Sequence, residues 1–199
     1  MRPVFSFLGG LSLLFATASF AQKVPQVGAY RTVADYRHHR LSLAGTDIRY
    51  SAKHEQYIVS NERGSTKLKK AIVRDSVWGY VDNKFRLYRL QDLDEYRVEQ
   101  ADTITVYSRN ATTTGTELVG YRGAVGGSTY SATRYYFSRG INGRIYPLSD
   151  KYLRESFAAG SPAFAAAVAN RPRGKDLAAY DKTADAFYIA KLFRDTKGK

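Results

Sequence analysis

"DSVWGYVDNKFRLYRL", residues Asp75 to Leu90, decides the fold. In its first half Trp78 and Tyr80 fall on one side of an extended chain, with Val77, Gly79 and Val81 on the other. Asp82, Asn83 and Lys84 then supply turn chemistry, after which Phe85 and Leu87 oppose Arg86 and Tyr88. A period of two on both sides of a polar corner is the pattern of a β-hairpin. Gly79, beside the bulky Trp78, eases strand bending or the close approach of another backbone.

The same period extends outward in both directions. From Asp47 to Ser138 the segments "DIRYSAK", "EQYIVSN", "KAIVRD", "VWGYV", "FRLYRL", "EYRVEQ", "TITVYSR", "ELVGYRG" and "YSATRYYFS" are short and rich in Val, Ile, Thr, Tyr and Phe. Gly, Asn and Asp separate them, which predicts antiparallel strands joined by hairpins. In "TITVYSR", Ile104, Val106 and Ser108 face one way while Thr103, Thr105 and Tyr107 face the other, so the sheet is expected to be covered on one side. Two stretches, Arg109 to Thr116 and Arg122 to Thr129, lack periodicity and read as loops.

Helical signals flank this region. "GAYRTVADYRHHRL" reads as a short strand from Gly28 and then a helix from Val33 to about Arg40, with Thr32 as its cap and Asp35 in its first turn. Ser149 is placed to cap a helix running to about Ala158, with Leu148 and Leu153 as a hydrophobic staple. Ser161 precedes Pro162 at a favoured first helical position, and Phe164, Ala167 and Val168 share a face. A last helix is expected from about Lys175 to Arg194, with Leu177, Tyr180, Ala184 and Phe187 on one stripe. The fold class expected is α+β: an antiparallel β-meander of about seven to nine strands, a short N-terminal helix and three C-terminal helices on the dry face. An eight-stranded outer-membrane barrel matches the length, but the helical C-terminal part and the short, charged strands speak against it.

The N-terminus sets the compartment. "MRPVFSFLGGLSLLFATASFAQ" has a basic start, an apolar stretch from Val4 to Phe15 and small residues at Ser19 and Ala21, the pattern of a signal peptide (1–21) cleaved between Ala21 and Gln22. The alternative, an uncleaved anchor, would need an apolar run of about 20 residues. Residues 22–199 then form one domain: a lead-in over 22–27, a mainly β part over 28–148 and a mainly α part over 149–199. The chain has no Cys, which excludes disulfides, a cysteine-linked lipid anchor, a thiol nucleophile and a thiolate metal site. An exported chain without disulfides fits a bacterial envelope, so the periplasm, the outer surface or secretion is expected, and the Asn110 sequon reads as incidental. No mature segment is apolar enough to span a bilayer as a helix.

Charge is the strongest compositional anomaly. There are 31 Lys and Arg against 18 Asp and Glu, a formal +13 that becomes +12 when Arg2 leaves with the leader. Such a field favours anionic partners. Export directs the expectation to acidic glycans, lipid head groups or anionic envelope proteins rather than nucleic acid, and the competing reading is that basic side chains merely solvate a surface.

The chemistry-bearing residues are few. Gly-x-Ser-x-Gly, P-loop and Gly-x-Gly-x-x-Gly motifs are absent from the sequence. His38 and His39 are adjacent near a helix end and project about 100° apart, so with His54 they do not suggest a metal site, and no cofactor is implied. Asp92, Asp94 and Glu95 in "LQDLDEY" read as a solvated turn, although paired carboxylates would suit a hydrolase of envelope or dietary glycans. The opening hairpin offers a ligand platform: Trp78 and Tyr80 to stack on a sugar or base, with Arg86, Arg89 and Arg97 to hold an anion. The structural alternative makes Trp78 a core anchor and the arginines an outer shield. Burial of Trp78 would favour the scaffold, and exposure beside Arg86 and Arg89 the platform.

The motifs "VGAYRTVADY", "VRDSVWGYVDNKFRLYR" and "RYYFSRGINGRIYPLSDKYLRESF", in this order after a leader, resemble a group of uncharacterised exported proteins of Bacteroidetes-type bacteria. The resemblance spans most of the mature chain and implies no activity and no catalytic residues. "VWGYVD" also looks like one unit of the Trp-Gly repeats, but it occurs once, and a solenoid or propeller needs several. The expectation is therefore a non-enzymatic exported protein that binds an anionic ligand or an envelope partner, with the glycan hydrolase as the alternative and the oligomeric state open.

Overall fold

Residues 26–63, 66–119 and 124–197 are described by the computed structural model, so the leader, the Ala21/Gln22 cleavage position and most of the lead-in lie outside the described residues. In chain order the elements are β1 (Val27–Tyr30), α1 (Val33–Arg37), β2 (Leu43–Gly45), β3 (Asp47–Ser51), β4 (Gln56–Arg63) and β5 (Thr66–Val73). After a 3-10 turn at Arg74–Ser76 come β6 (Gly79–Val81), β7 (Leu87–Gln91), β8 (Asp94–Gln100), β9 (Ile104–Val119), β10 (Ala124–Arg139) and β11 (Tyr146–Pro147). The C-terminal part holds α2 (Asp150–Phe157), α3 (Pro162–Ala169), β12 (Tyr180–Asp181), β13 (Ala186–Phe187) and α4 (Tyr188–Lys197). The fold is α+β.

Eight strands form the main sheet in the order β11-β10-β9-β8-β7-β6-β1-β2, with antiparallel neighbours throughout. The expected single meander is interrupted. After β2 the chain leaves, builds a separate three-stranded sheet from β3, β4 and β5, and returns at β6, which pairs with β1. Gly28 makes the β1–β2 approach feasible: its φ is +152°, and a Cβ there would lie 2.0 Å from the Leu43 carbonyl oxygen. The approach suspected at Gly79 is also present, since a Cβ at that position would lie 2.5 Å from the Tyr88 carbonyl oxygen.

One face of the main sheet carries both covers. Tyr80, Tyr88, Arg97, Ser108 and Tyr135 stand in register across β6 to β10 and so share that face. At the β1, β6 and β7 end the small sheet closes over it, packing Tyr57, Val59 and Ile72 against Ala29, Val77 and Tyr80. At the β9 and β10 end the three C-terminal helices do so, with Leu153, Phe157, Phe164 and Phe193 on Ile104, Val106 and Phe137. Arg97 and Ser108 lie between the two covers. The opposite face buries Tyr96 and Tyr107 under Ile145.

Local chemistry explains where the expected elements hold and where they change. The Thr32 hydroxyl accepts the Asp35 N–H at 3.0 Å and donates to its carboxylate at 2.8 Å, starting α1 as expected, but the helix ends at Arg37 because His39 takes a φ of 52°. Ser149 accepts the Tyr152 N–H and Leu153 is fully buried, as the staple requires. Pro162 opens α3, whereas the Ser161 hydroxyl turns back to the Gly160 carbonyl and caps nothing. The long last helix is replaced by turns. Asp176 takes the Ala178 N–H and Asp181 takes those of Thr183 and Ala184, so the backbone bonds to side chains and α4 starts only at Tyr188.

Of the two stretches read as loops, Arg109 to Thr116 belongs to β9 and residues 124–129 belong to β10, while Arg122 and Gly123 lie outside the described residues. β9 and β10 stay in register from Ile104↔Arg139 to Val119↔Ala124. Among the described residues, β9 beyond Ser108 pairs with β10 alone. No third strand imposes a buried face there, so the hydrophobic period vanishes while the Thr-rich sequence still favours extended backbone.

Candidate functional site

Between the small sheet and the β9–β10 hairpin the main sheet leaves a groove of about 530 Å³, within the size range of small-ligand sites. Its lining includes Arg74, Arg86, Arg97, Arg109, Asp94 and Glu95. Tyr88, Arg97 and Ser108 are cross-strand neighbours on β7, β8 and β9 and form the floor. Arg74 reaches in from the turn after β5, and Arg109 stands where β9 passes the end of the β7–β8 hairpin.

Three of the four guanidinium groups are held by carboxylates. Arg86 grips Asp82 through Nε at 2.8 Å and Nη2 at 2.6 Å, while the other Asp82 oxygen takes the backbone N–H groups of Lys84 and Arg86, both at 2.9 Å. Burial acts to raise the Asp82 carboxyl, but the Arg86 guanidinium and those two N–H groups outweigh it and hold the carboxyl below its ordinary range. Arg97 bonds Glu99, which also accepts from Ser108. Glu99 is the additional residue at a β-bulge, where Val98 pairs with Tyr107 and Gln100 with Val106. Arg109 binds both oxygens of Asp94 at 2.7 Å and lies over the Tyr96 ring. Arg74 differs: its guanidinium sits over the Tyr50 ring at 4.9 Å and donates to the Tyr50 hydroxyl at 3.4 Å, with no carboxylate partner among the described residues.

Glu95 ties the small sheet to the large one. Its carboxylate accepts from the Tyr57 hydroxyl at 2.6 Å and the Tyr80 hydroxyl at 2.8 Å. Burial, reinforced by the Glu95 charge and these bonds, raises both phenols well above their ordinary value. Tyr80 stacks on Tyr88 with centroids 4.9 Å apart, and burial raises the Tyr88 phenol as well. The trio read as a solvated turn is thus divided: Asp92 is exposed at the hairpin tip, whereas Asp94 and Glu95 are engaged in the groove wall.

The residues expected to form one platform are distributed over three environments. Arg86 and Arg97 line the groove. Tyr80 is buried beneath it, with its hydroxyl committed to Glu95. Arg89 is on the other face, 6% exposed, donating to the Tyr107 hydroxyl at 3.1 Å and to the Gly143 and Asn142 carbonyl oxygens. Trp78 is half-buried and stacks on Tyr36 of α1 at 5.1 Å, which makes it an anchor for that helix; its Nε1 is buried without a hydrogen-bond partner. Sequence reasoning missed Arg74 and Arg109. Arg74 reaches the groove only because the small sheet folds over, and Arg109 meets Asp94 across a separation of 15 residues, so neither leaves a local signature.

Comparison with protein-family models, with curated proteins and with solved structures returned no match. The groove must be read from its own chemistry. Its acidic groups already accept from neighbours, while each guanidinium has more N–H donors than one carboxylate can take. The arrangement is one of fixed donors around a polar, aromatic-floored cleft.

Proposed function

We propose that this is an exported binding protein whose arginine groove takes an anionic ligand. One observation carries the reading: Arg74 and Arg86 from two turns and Arg97 from β8 line one groove together with Arg109 of β9, and all but Arg74 are held by carboxylates. Pre-positioned guanidinium forks match the oxygen pairs of phosphate and carboxylate, and pre-organisation lowers the entropy cost of capture. The excess of basic residues, a formal +12 once Arg2 leaves with the leader, favours the encounter. The export half of the proposal rests on the N-terminal sequence.

Binding is favoured over glycan hydrolysis by the state of the two lining carboxylates. Asp94 is locked to Arg109 and Glu95 to two tyrosines, and as consecutive strand residues they direct their side chains to opposite faces. Calorimetric titration of the purified protein with sn-glycerol 3-phosphate, with glycerol as the uncharged control, tests the proposal. Phosphate-dependent binding should weaken at least about tenfold in Arg74→Ala and in Arg97→Ala. Equal response to both compounds, or full affinity in both variants, would refute it.

A further inference from the structure

The tip of the β7–β8 hairpin is built against its own turn chemistry. Gln91 pairs with Asp94, leaving a two-residue turn of Asp92 and Leu93, and both take left-handed backbone, with φ of 51° and 66°. Such turns favour Asn or Asp followed by Gly. Asp92 satisfies the first preference, whereas Leu93 places a γ-branched apolar side chain where glycine is the relaxed choice. Packing does not account for it, since Leu93 is 69% exposed.

Its position gives the strain a direction. Leu93 and Arg74 are the two residues common to the arginine groove and to an adjoining cavity of about 290 Å³ that Val77 and Leu90 help to line. Val73, immediately before Arg74, is also an exposed apolar residue. An apolar tip therefore projects at the mouth of a cleft lined by guanidinium groups. A free anion would engage the arginines alone and leave the exposed leucine unexplained. An anionic lipid surface engages both, its phosphates at the arginines and its acyl boundary at Leu93.

We infer that the β7–β8 tip docks on an anionic membrane surface, with Leu93 inserted at the acyl boundary and a lipid phosphate held in the groove. The inference rests on the proposed reading of the groove as an anion site. Of the acids at the tip, Asp94 is neutralised by Arg109, and Asp92 accepts from Gln91.

Co-sedimentation with vesicles of phosphatidylglycerol and phosphatidylcholine, against phosphatidylcholine alone, is the test, with sn-glycerol 3-phosphate titrated in parallel. The Leu93→Gly protein should bind anionic vesicles about tenfold or more weakly, through loss of one inserted leucine. Its affinity for glycerol phosphate should fall far less than its vesicle binding, because the arginines hold the phosphate, and it should melt no lower than wild type, because glycine relaxes the turn. Undiminished vesicle binding by Leu93→Gly overturns the inference and leaves the groove reading intact, as does wild-type protein that takes glycerol phosphate but ignores vesicles or prefers neither composition. Failure of wild-type protein to bind glycerol phosphate overturns the groove reading itself, and this inference with it.

Discussion

Replacing Glu95 by alanine removes the acceptor shared by Tyr57 and Tyr80, at distances of 2.6 and 2.8 Å. Tyr57 and Tyr80 are 1% and 8% exposed, so their hydroxyl groups have little access to replacement water. Hydrogen bonds to a charged group contribute about 1.5–3 kcal/mol each, and a buried donor left unpaired costs about 1–3 kcal/mol. Glu95 itself borders the open groove, which weakens the charge it presents. The expected loss for Glu95→Ala is therefore about 2–4 kcal/mol. Glu95→Gln, which keeps one acceptor oxygen, should lose about half as much. Equilibrium urea unfolding measures both, and the cycle of Glu95→Ala with Tyr57→Phe should show a coupling of about 1–2 kcal/mol. A loss below about 0.5 kcal/mol, or additive single effects, would mean that the two sheets are not joined through this carboxylate and would refute the reasoning.

Alkaline pH should act on the same junction. Tyr57, Tyr80 and Tyr96 all have raised folded-state values, Tyr96 being pushed up to about 12, chiefly by burial. Unfolded tyrosine ionises first, so the stabilisation is fully present below about pH 10 and is lost as pH rises further; chemical denaturation from pH 8 to 11 should show a flat region and then a decline, and a flat profile throughout would contradict the raised phenols. Arg89→Lys should cost about 2–4 kcal/mol, because an ammonium cannot reproduce the bonds to Tyr107, Asn142 and Gly143, while glycerol phosphate affinity stays within about twofold of wild type. A large fall in affinity at unchanged stability would place Arg89 in the binding site instead of the opposite face.

The elements whose signals are local were legible in the sequence. Alternation marked the strands around Gly79–Val81 and Leu87–Gln91, and the caps at Thr32 and Ser149 marked two helix starts, because a strand period or a capping hydroxyl acts over a few residues. The absence of cysteine, the excess of basic residues and the α+β class were determined at the same level. Where local signals were weak or competed, reading failed: the Thr-rich arm of β9 and the Gly-rich arm of β10 lost their period beyond the third strand, and Asx turns at Asp176 and Asp181 displaced a helix.

Tertiary structure alone decided the site. Pleat parity sends Arg89 and Arg97 to opposite faces of one sheet, but which face receives a cover depends on where β3, β4 and β5 fold back. That return brings Arg74 over the β7–β8 hairpin and places Tyr57 against Glu95, contacts spanning tens of residues that no window of sequence contains. The sequence by itself determined which side chains were available; the closing of the small sheet over one end of the large one determined which of them face a common groove, because convergence of distant residues is a property of packing and not of spacing.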